Sequence, residues 1–191
     1  MTPGDRPPVR LAWAEVPTGI PRREIAWRLL RGLLAADAEL TNPCPFCGGP
    51  HGPVKTTDAA GRPAIAYAGT TAVAAVADVG AAGGAFAIDA EPERDAVRDA
   101  AGLAGVLGSG ADVHVRDWVR VEAALKADGR GLRVDPGDVV VTEEGPRRWS
   151  AIVPGAPAPL LGWDLDGPPG VLVSAAVSAA AEEAPGGRAT P

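Results

Sequence analysis

The chain has 191 residues, of which 46% are hydrophobic and 22% charged, and its formal net charge is -6. This composition is typical of one folded globular domain and excludes wholesale disorder. The negative charge argues against a nucleic-acid-binding protein, because basic residues that neutralise phosphates supply most of the affinity in that class. The chain holds two cysteines, which are too few for a secreted disulfide scaffold.

The N-terminal segment MTPGDRPPVRLAW lacks a continuous apolar run after its basic residues, so it is unlike a signal peptide. The longest apolar runs are rich in alanine and are interrupted by glycine or aspartate, which makes them too short to span a bilayer. We therefore expect a soluble, cytoplasmic protein without a membrane partner.

The N-terminal part of the chain is predicted to hold one strand and one amphipathic helix. The strand spans Val9–Val16, and the helix begins at Pro21 and covers residues 21–40, where apolar residues recur at helical spacing. The arginines of this helix are expected to lie on a solvated basic face: Arg22, Arg23, Arg28 and Arg31.

Residues 41–63 are rich in proline and glycine and are predicted to form a loop. Residues 63–79 are predicted to form two short buried strands around a turn at Gly69, with an alanine-rich helix as the alternative. A further strand covers residues 85–91 and ends in two acidic residues.

The second half of the chain is predicted to begin with two helices. Pro92 opens the first, over residues 92–108, and Gly129 ends the second, over residues 117–129. Four strands are predicted to follow, at residues 137–144, 147–154, 159–166 and 170–179. A disordered tail is predicted at residues 181–191. The segments 72–79 and 170–179 resemble each other, which suggests two similar halves.

The loop CPFCGGPHG contains both cysteines and one of the two histidines of the chain. A structural zinc site normally needs four ligands, whereas Cys44, Cys47 and His51 supply three. A redox pair normally opens a helix, whereas glycine and proline follow here. We therefore favour a loop that receives a ligand, in which His51 and Lys55 meet an anion.

Two groups of charged residues are candidates for chemistry. Asp89 and Glu91 are two apart on a predicted strand, so both face one side, where they would suit Mg²⁺ or form a solvated strand end. Glu122 and Lys126 are four apart on a predicted helix, which by itself indicates a surface ion pair.

Taken in order, these pieces resemble the 4′-phosphopantetheinyl transferase superfamily. The family's Gly-x-Pro-His-Gly loop, Ser-His-Ser strand, Gly-Ile/Val-Asp-x-Glu strand and Trp-x-x-Lys-Glu-Ala-x-x-Lys helix are similar to CPFCGGPHG, AYAG, AIDAE and WVRVEAALKADGRGL of this sequence. The leading helix WRLLRGLLA and the closing hairpin WDLDGPPGVLVSAAV are also similar, so the resemblance covers roughly residues 22–180. The helix with Trp118, Glu122 and Lys126 is its most specific element.

The resemblance implies a single α+β domain over residues 1–180, built as a pseudo-dimer of two similar halves, about 1–92 and 93–180, with the ligand cleft between them. It implies transfer of 4′-phosphopantetheine from coenzyme A to a serine of an acyl or peptidyl carrier protein, with release of 3′,5′-ADP. A monomer is expected, because both halves belong to one chain.

The resemblance also implies roles for individual residues. Asp89, Glu91 and Glu122 would hold Mg²⁺, Glu122 would serve as general base, and Lys126 would stabilise or protonate the departing phosphate. Four further residues would bind coenzyme A: Arg28, His51, Lys55 and Tyr67.

The sequence also departs from the family pattern. Ala66-Tyr67-Ala68 stands where the family has Ser-His-Ser, so a neutral phenol replaces the histidine that contacts a coenzyme A phosphate. Val121 replaces the lysine before the helix glutamate, and Ala87 replaces the glycine before the metal aspartate. The tripeptide Gly-Arg-Pro occurs at residues 61–63 rather than directly after His51, so Arg62 is an alternative to Lys55.

These departures favour a second hypothesis, a non-catalytic relative that binds coenzyme A or a carrier protein without turnover. A third hypothesis is a zinc-stabilised interaction module built on the two cysteines and His51. Recognition of an acidic carrier would need a local basic patch, for which Arg116, Arg120 and Arg130 are candidates.

Overall fold

The computed structural model describes residues 7–78, 84–95 and 114–178. This part of the chain forms two main antiparallel sheets, each covered by a helix. Short 3₁₀ turns lie at Gly131–Arg133 and Pro136–Asp138. In chain order the longer elements and two short strands are β1 (Val9–Glu15), α1 (Arg22–Leu33), β2 (Leu40–Thr41), β3 (Lys55–Thr56), β4 (Arg62–Ala68), β5 (Thr71–Ala77), β6 (Phe86–Pro92), α2 (Val115–Asp128), β7 (Val140–Gly145), β8 (Arg148–Ile152), β9 (Leu160–Leu165) and β10 (Val171–Val177).

The first sheet is built from strands in the earlier part of the chain and the second from strands in the later part. The first sheet has the order β1–β5–β4, and the second has the order β6–β10–β9–β8–β7. A small ribbon of β2 and β3 lies within the segment that was predicted to be all loop. The prediction of a mixed α+β fold is confirmed.

Strand β5 is buried on both faces and joins the layers of the fold. All seven of its residues are buried, which explains its unbroken run of alanine and valine. Ala72 packs near Ile25 and Ala74 near Leu30, both on α1. The alternate residues 73, 75 and 77 share a second core with residues of β6 and β10. The strands predicted around Gly69 are therefore confirmed over their helical alternative.

Helix α2 covers the second sheet with its alanine-rich face. Leu125 and neighbouring alanines pack with Trp149 of β8 and with Ala87 of β6. Because successive residues of a strand point to opposite faces, Asp89 faces α2 as Ala87 does. The sheet thus places one acidic residue directly under the helix.

Helix α1 ends earlier than predicted, at Leu33 rather than near residue 40. Leu34 is extended, and its side chain packs with the core that contains Leu30 and Val76. The backbone N–H of Ala35 donates to Asp58 Oδ2 at 3.4 Å, so a loop group replaces the next helical acceptor. Tertiary packing therefore overrides the helical pattern beyond residue 33.

Proline positions also differ from the prediction. Pro21 is the N-cap residue of α1 rather than part of its first turn. Pro92 is the last residue of β6, paired with Val171, and it does not open a helix. Pairing with β10 holds the chain extended there, and the N–H of Glu93 donates to Gly170 O at 2.8 Å.

Residues 93–95 are not helical either, whereas residues 96–108 of that predicted helix and the tail predicted at 181–191 lie outside the described residues. The second predicted helix and its stop at Gly129, which has φ of 86°, are confirmed. None of the helices in the described ranges has the length and apolar composition needed to span a bilayer.

Gly162 provides a test of the packing in the second sheet. It lies opposite Trp149, and a Cβ at this position would come within 2.1 Å of the buried indole. Gly162→Ala should therefore lower the free energy of unfolding by about 1–3 kcal/mol, measured by urea denaturation. Gly32→Ala on α1 is the control, because nothing lies within 4 Å of its added Cβ. The control should be neutral or more stable by up to about 1 kcal/mol; equal effects would contradict this account.

Candidate functional site

A pocket of about 550 Å³ opens where the cysteine-containing loop, β4, β6 and the C-terminal end of α2 meet. Its volume lies in the range of small-molecule sites. Phe86 and Ile88 contribute to an apolar wall, and positive charge comes from the end of α2 and the turn that follows. The charged or titratable residues that line it are Cys44, His51, Lys126, Arg130 and Arg133.

Lys126 connects this pocket to two carboxylates. Its Nζ lies 2.5 Å from Asp89 Oδ1 and 3.1 Å from Glu122 Oε2. Asp89 comes from β6, whereas Glu122 and Lys126 lie one turn apart on α2. The structure therefore brings together three of the charged residues that the sequence singled out.

Burial shapes the protonation of this group. Burial raises the pKa of the Asp89 carboxyl above its usual range, and the Lys126 ammonium partly offsets that effect. Burial also disfavours the charged form of Lys126, but the carboxylates of Asp89 and Glu122 outweigh it and raise the pKa of the amine. Lys126 therefore remains an ammonium at neutral pH.

The second oxygen of Asp89 has no hydrogen-bond partner among the described residues, although it is buried. An acceptor in this position is costly unless something binds it. Glu91 lies two residues further along the same face of β6 and is partly buried. Carboxylate oxygens of this kind suit a hard cation such as Mg²⁺, so Asp89 and Glu122 have the donor chemistry of the metal that the resemblance implies. Among the described residues, however, Asp89, Glu91 and Glu122 do not bring one oxygen each within 4.8 Å of one another, and Lys126 Nζ contacts both Asp89 and Glu122.

The cysteine-containing loop forms one side of the pocket. His51 and Cys44 both line it, and His51 Nε2 lies 3.0 Å from Cys47 Sγ. The loop passes so close to itself that a Cβ on Gly52 would come within 2.1 Å of Pro43 O. Glycine at position 52 is therefore required by packing.

Two residues expected to bind coenzyme A do not line this pocket. Arg28 forms an exposed ion pair with Glu24 at 3.2 Å on α1. Lys55 lies on β3, paired with Thr41, and is exposed. The arginines at the end of α2, by contrast, line the pocket although the sequence patterns did not single them out for it.

Tyr67, also expected to bind coenzyme A, points toward the start of α1. The Arg22 guanidinium lies over its ring at 4.4 Å from the centroid. Burial raises the pKa of the Tyr67 phenol, against the opposing effect of Arg22 and Arg23. Arg23 also donates to Pro50 O of the cysteine-containing loop at 2.5 Å. These two arginines place positive charge beside Tyr67.

A second charged group fixes α2 on its sheet. Arg120 is only 5% exposed and donates to Asp164 at 2.8 and 3.2 Å and to Glu143 at 3.0 Å. Ser174 donates to Asp164 at 2.6 Å, and Arg116 does so at 3.1 Å. Except for Ser174, these residues line a second pocket of about 460 Å³. Of the three arginines suggested for a basic patch, Arg120 is therefore buried and paired within the protein, whereas the side chain of Arg116 is 44% exposed.

Comparison with known proteins adds no family to these observations: no protein-family model matches the chain, and no curated protein matches its sequence. The class of protein must therefore be inferred from the arrangement of its residues and from the order of the motifs.

Asp164 gives a test of the buried network through pH. Burial alone would raise its pKa, but Arg120 and Ser174 outweigh burial and hold the pKa below its usual range. A carboxyl whose pKa is lower in the folded state contributes stability above the unfolded-state pKa of about 3.9, and that stability is lost as pH falls through the folded value.

Asp164→Asn should lower the free energy of unfolding at pH 7 by at least about 2 kcal/mol and flatten its decline below about pH 5. Urea denaturation at several pH values measures both effects. Asp166→Asn is the matched control, because Asp166 pairs with Arg147 at the surface, where the cost should be below about 1 kcal/mol. An unchanged acid slope in Asp164→Asn would contradict the assignment.

Proposed function

We propose that this protein transfers the 4′-phosphopantetheine group of coenzyme A to a serine of an acyl or peptidyl carrier protein. The observation that carries the proposal is the contact of Lys126 with both Asp89 and Glu122 at the edge of a pocket of suitable size. Three residues that the family pattern marks as functional thus lie together although they are 37 and 4 positions apart.

The fold is compatible with the pseudo-dimer that the family implies. Each half would consist of one sheet with a helix on its outer face, α1 on the first sheet and α2 on the second. Because β6 belongs to the second sheet, the halves would then divide before Phe86 rather than at about residue 92. The inner faces share the core formed by β5, β6 and β10. The pocket draws residues from both sides of this junction, Pro63 and Ile65 on β4 and Phe86 on β6.

In the proposed reaction the serine hydroxyl attacks the phosphorus atom that carries pantetheine. A new O–P bond forms, the pyrophosphate O–P bond breaks, and 3′,5′-ADP leaves with the bonding electron pair. Glu122 is the candidate base for the serine proton, since its carboxylate is partly exposed and adjoins the pocket through Lys126. Asp89, more deeply buried, is less accessible to a proton donor from outside.

Lys126 is better suited to stabilise charge than to give up a proton. The two carboxylates raise the pKa of its amine, so the ammonium persists as negative charge develops on the departing phosphate. Asp89 and Glu122, with Glu91, would hold Mg²⁺, which when bound neutralises and orients a pyrophosphate.

The phosphates of coenzyme A would meet the positive residues that line the pocket. Arg133 stacks over the ring of Phe46 at 4.1 Å, and Arg130 forms hydrogen bonds with Asp128 at 2.6 and 3.0 Å. Both guanidiniums are thereby held near the pocket. Arg22 and Arg23 lie beside Tyr67 and offer a second group of cations.

A non-catalytic relative is the alternative, and Lys126 itself is the observation that favours it. Its ammonium already forms ion pairs with both carboxylates, and a phenol stands in place of the family's histidine. Such a protein would bind coenzyme A or a carrier without turnover. Binding measured separately from transfer distinguishes the two hypotheses.

Transfer should depend on Glu122. We expect Glu122→Gln to lower the rate by about 100- to 1,000-fold, because the base is lost while the shape is kept. The measurement is intact mass of apo carrier proteins incubated with coenzyme A and Mg²⁺. Glu144→Gln, an exposed glutamate on β7, is the control and should act like the unaltered chain. Absence of any adduct with the unaltered chain across acyl and peptidyl carriers would sink the catalytic proposal.

Coenzyme A affinity should depend on Arg133 rather than Arg28. Loss of one charge-assisted phosphate contact should weaken binding by about 10- to 100-fold in Arg133→Gln, measured by calorimetry. Arg28→Gln should leave affinity unchanged, because Arg28 does not line the pocket. The opposite pattern would show that coenzyme A binds along α1 instead.

A further inference from the structure

Three side chains of the cysteine-containing loop gather their metal-ligating atoms. The sulfurs of Cys44 and Cys47 and a ring nitrogen of His51 all lie within 4.8 Å of one another. A tetrahedral Zn²⁺ with the usual bond lengths places such atoms about 3.5–3.8 Å apart. The present separations are therefore within roughly 1 Å of those in a zinc site.

The backbone of this loop turns sharply around its two cysteines. The N–H of Gly48 donates to Cys44 O at 2.9 Å, and that of Cys44 to Gly49 O at 2.8 Å. Gly48 has φ of 72°, so the chain turns back sharply after the second cysteine. This turn keeps the sulfurs of Cys44 and Cys47 close to each other and to the ring of His51.

The loop is also fixed at its ends. The N–H of Gly52 donates to Asn42 O at 2.8 Å, and Asn42 Nδ2 donates to Pro50 O at 2.7 Å. Arg23 of α1 donates to the same carbonyl. Hydrogen bonds of neighbouring residues therefore hold the loop in the conformation that places His51 beside the cysteines. Less conformational entropy is then lost when an ion binds.

We propose that Cys44, Cys47 and His51 bind one Zn²⁺, with the fourth coordination position open to a ligand that the protein does not supply. Two thiolates and an imidazole select zinc over Mg²⁺, which prefers oxygen ligands. A fourth protein ligand is unnecessary, because zinc sites with three protein ligands complete the shell with water or another donor.

The zinc position adjoins the 550 Å³ pocket, because Cys44 and His51 also line it. The open position can therefore take water or a donor atom of a molecule bound in the pocket. The proposal does not rest on phosphopantetheine transfer, since it requires neither Lys126 nor the carboxylates around it. It does assign His51 to zinc rather than to coenzyme A.

The test uses the full chain, reduced with a non-thiol reductant and freed of metal. Titration with Zn²⁺ against a chromophoric chelator should give one ion per chain, and Co²⁺ should produce thiolate-to-cobalt charge-transfer absorption with tetrahedral d–d bands. Cys44→Ser and Cys47→Ser should each weaken Zn²⁺ binding by about 100-fold or more. His51→Gln should weaken it in the same direction, whereas His114→Gln, which changes the other histidine, should not.

A measurement on the unaltered chain guards against variants that fail to fold. Zn²⁺ at one equivalent should slow alkylation of both thiols together. Equal alkylation rates with and without Zn²⁺, or Zn²⁺ affinity unchanged in folded Cys44→Ser, would overturn the proposal. Neither readout involves coenzyme A, so failure here and failure of transfer are distinguishable.

Discussion

The close packing of β5 between α1 and the second sheet is the constraint on which the rest of the structure depends. Its residues alternate between two cores and are almost all alanine or valine. Small side chains on both faces allow α1 and the β6–β10 pair to approach one strand from opposite sides. The wall of the candidate pocket is built where these layers meet, so the position of the pocket follows from this packing.

Helix α2 couples stability to the site. Arg120 ties it to Asp164 and Glu143 of the second sheet, and Lys126 ties it to Asp89, also of that sheet. In the first group Arg120 and Asp164 are buried and paired with each other, whereas in the second one oxygen of Asp89 has no partner among the described residues. The Arg120 network holds the helix on the sheet. The unpaired oxygen of Asp89, which lies under the same helix, is where a ligand can bind.

The sequence predicted the elements well where local pattern and packing agree. Gly129 stopped α2 as expected because glycine adopts φ of 86° there at no steric cost. Helix α1 was predicted too long because Leu34 turns into the core, and Pro92 was misread because pairing with β10 holds it in a strand. Both errors come from contacts distant in sequence, which periodicity does not report.

The candidate site was predictable only in part, because some of its residues are brought together by contacts that are distant in sequence. Motif order pointed to Asp89, Glu122 and Lys126, and these are together. Arg130 and Arg133 were not singled out for the pocket, because only the turn after α2 brings them beside the cysteine-containing loop. The gathering of Cys44, Cys47 and His51 also depends on backbone turns at glycines, which spacing alone did not establish.

Val121 limits how this chain can vary. The related pattern has lysine there, but Val121 is 3% exposed and packs in the core with Trp149 and Leu160. An ammonium at this position would be enclosed by apolar groups without a counter-ion among the residues of that core. A lysine at position 121 is therefore incompatible with the core around Trp149 and Leu160. Its introduction would have to be accompanied by changes on β8 and β9. A change at Val121 is therefore expected to be coupled to changes at the residues that enclose it rather than to occur singly.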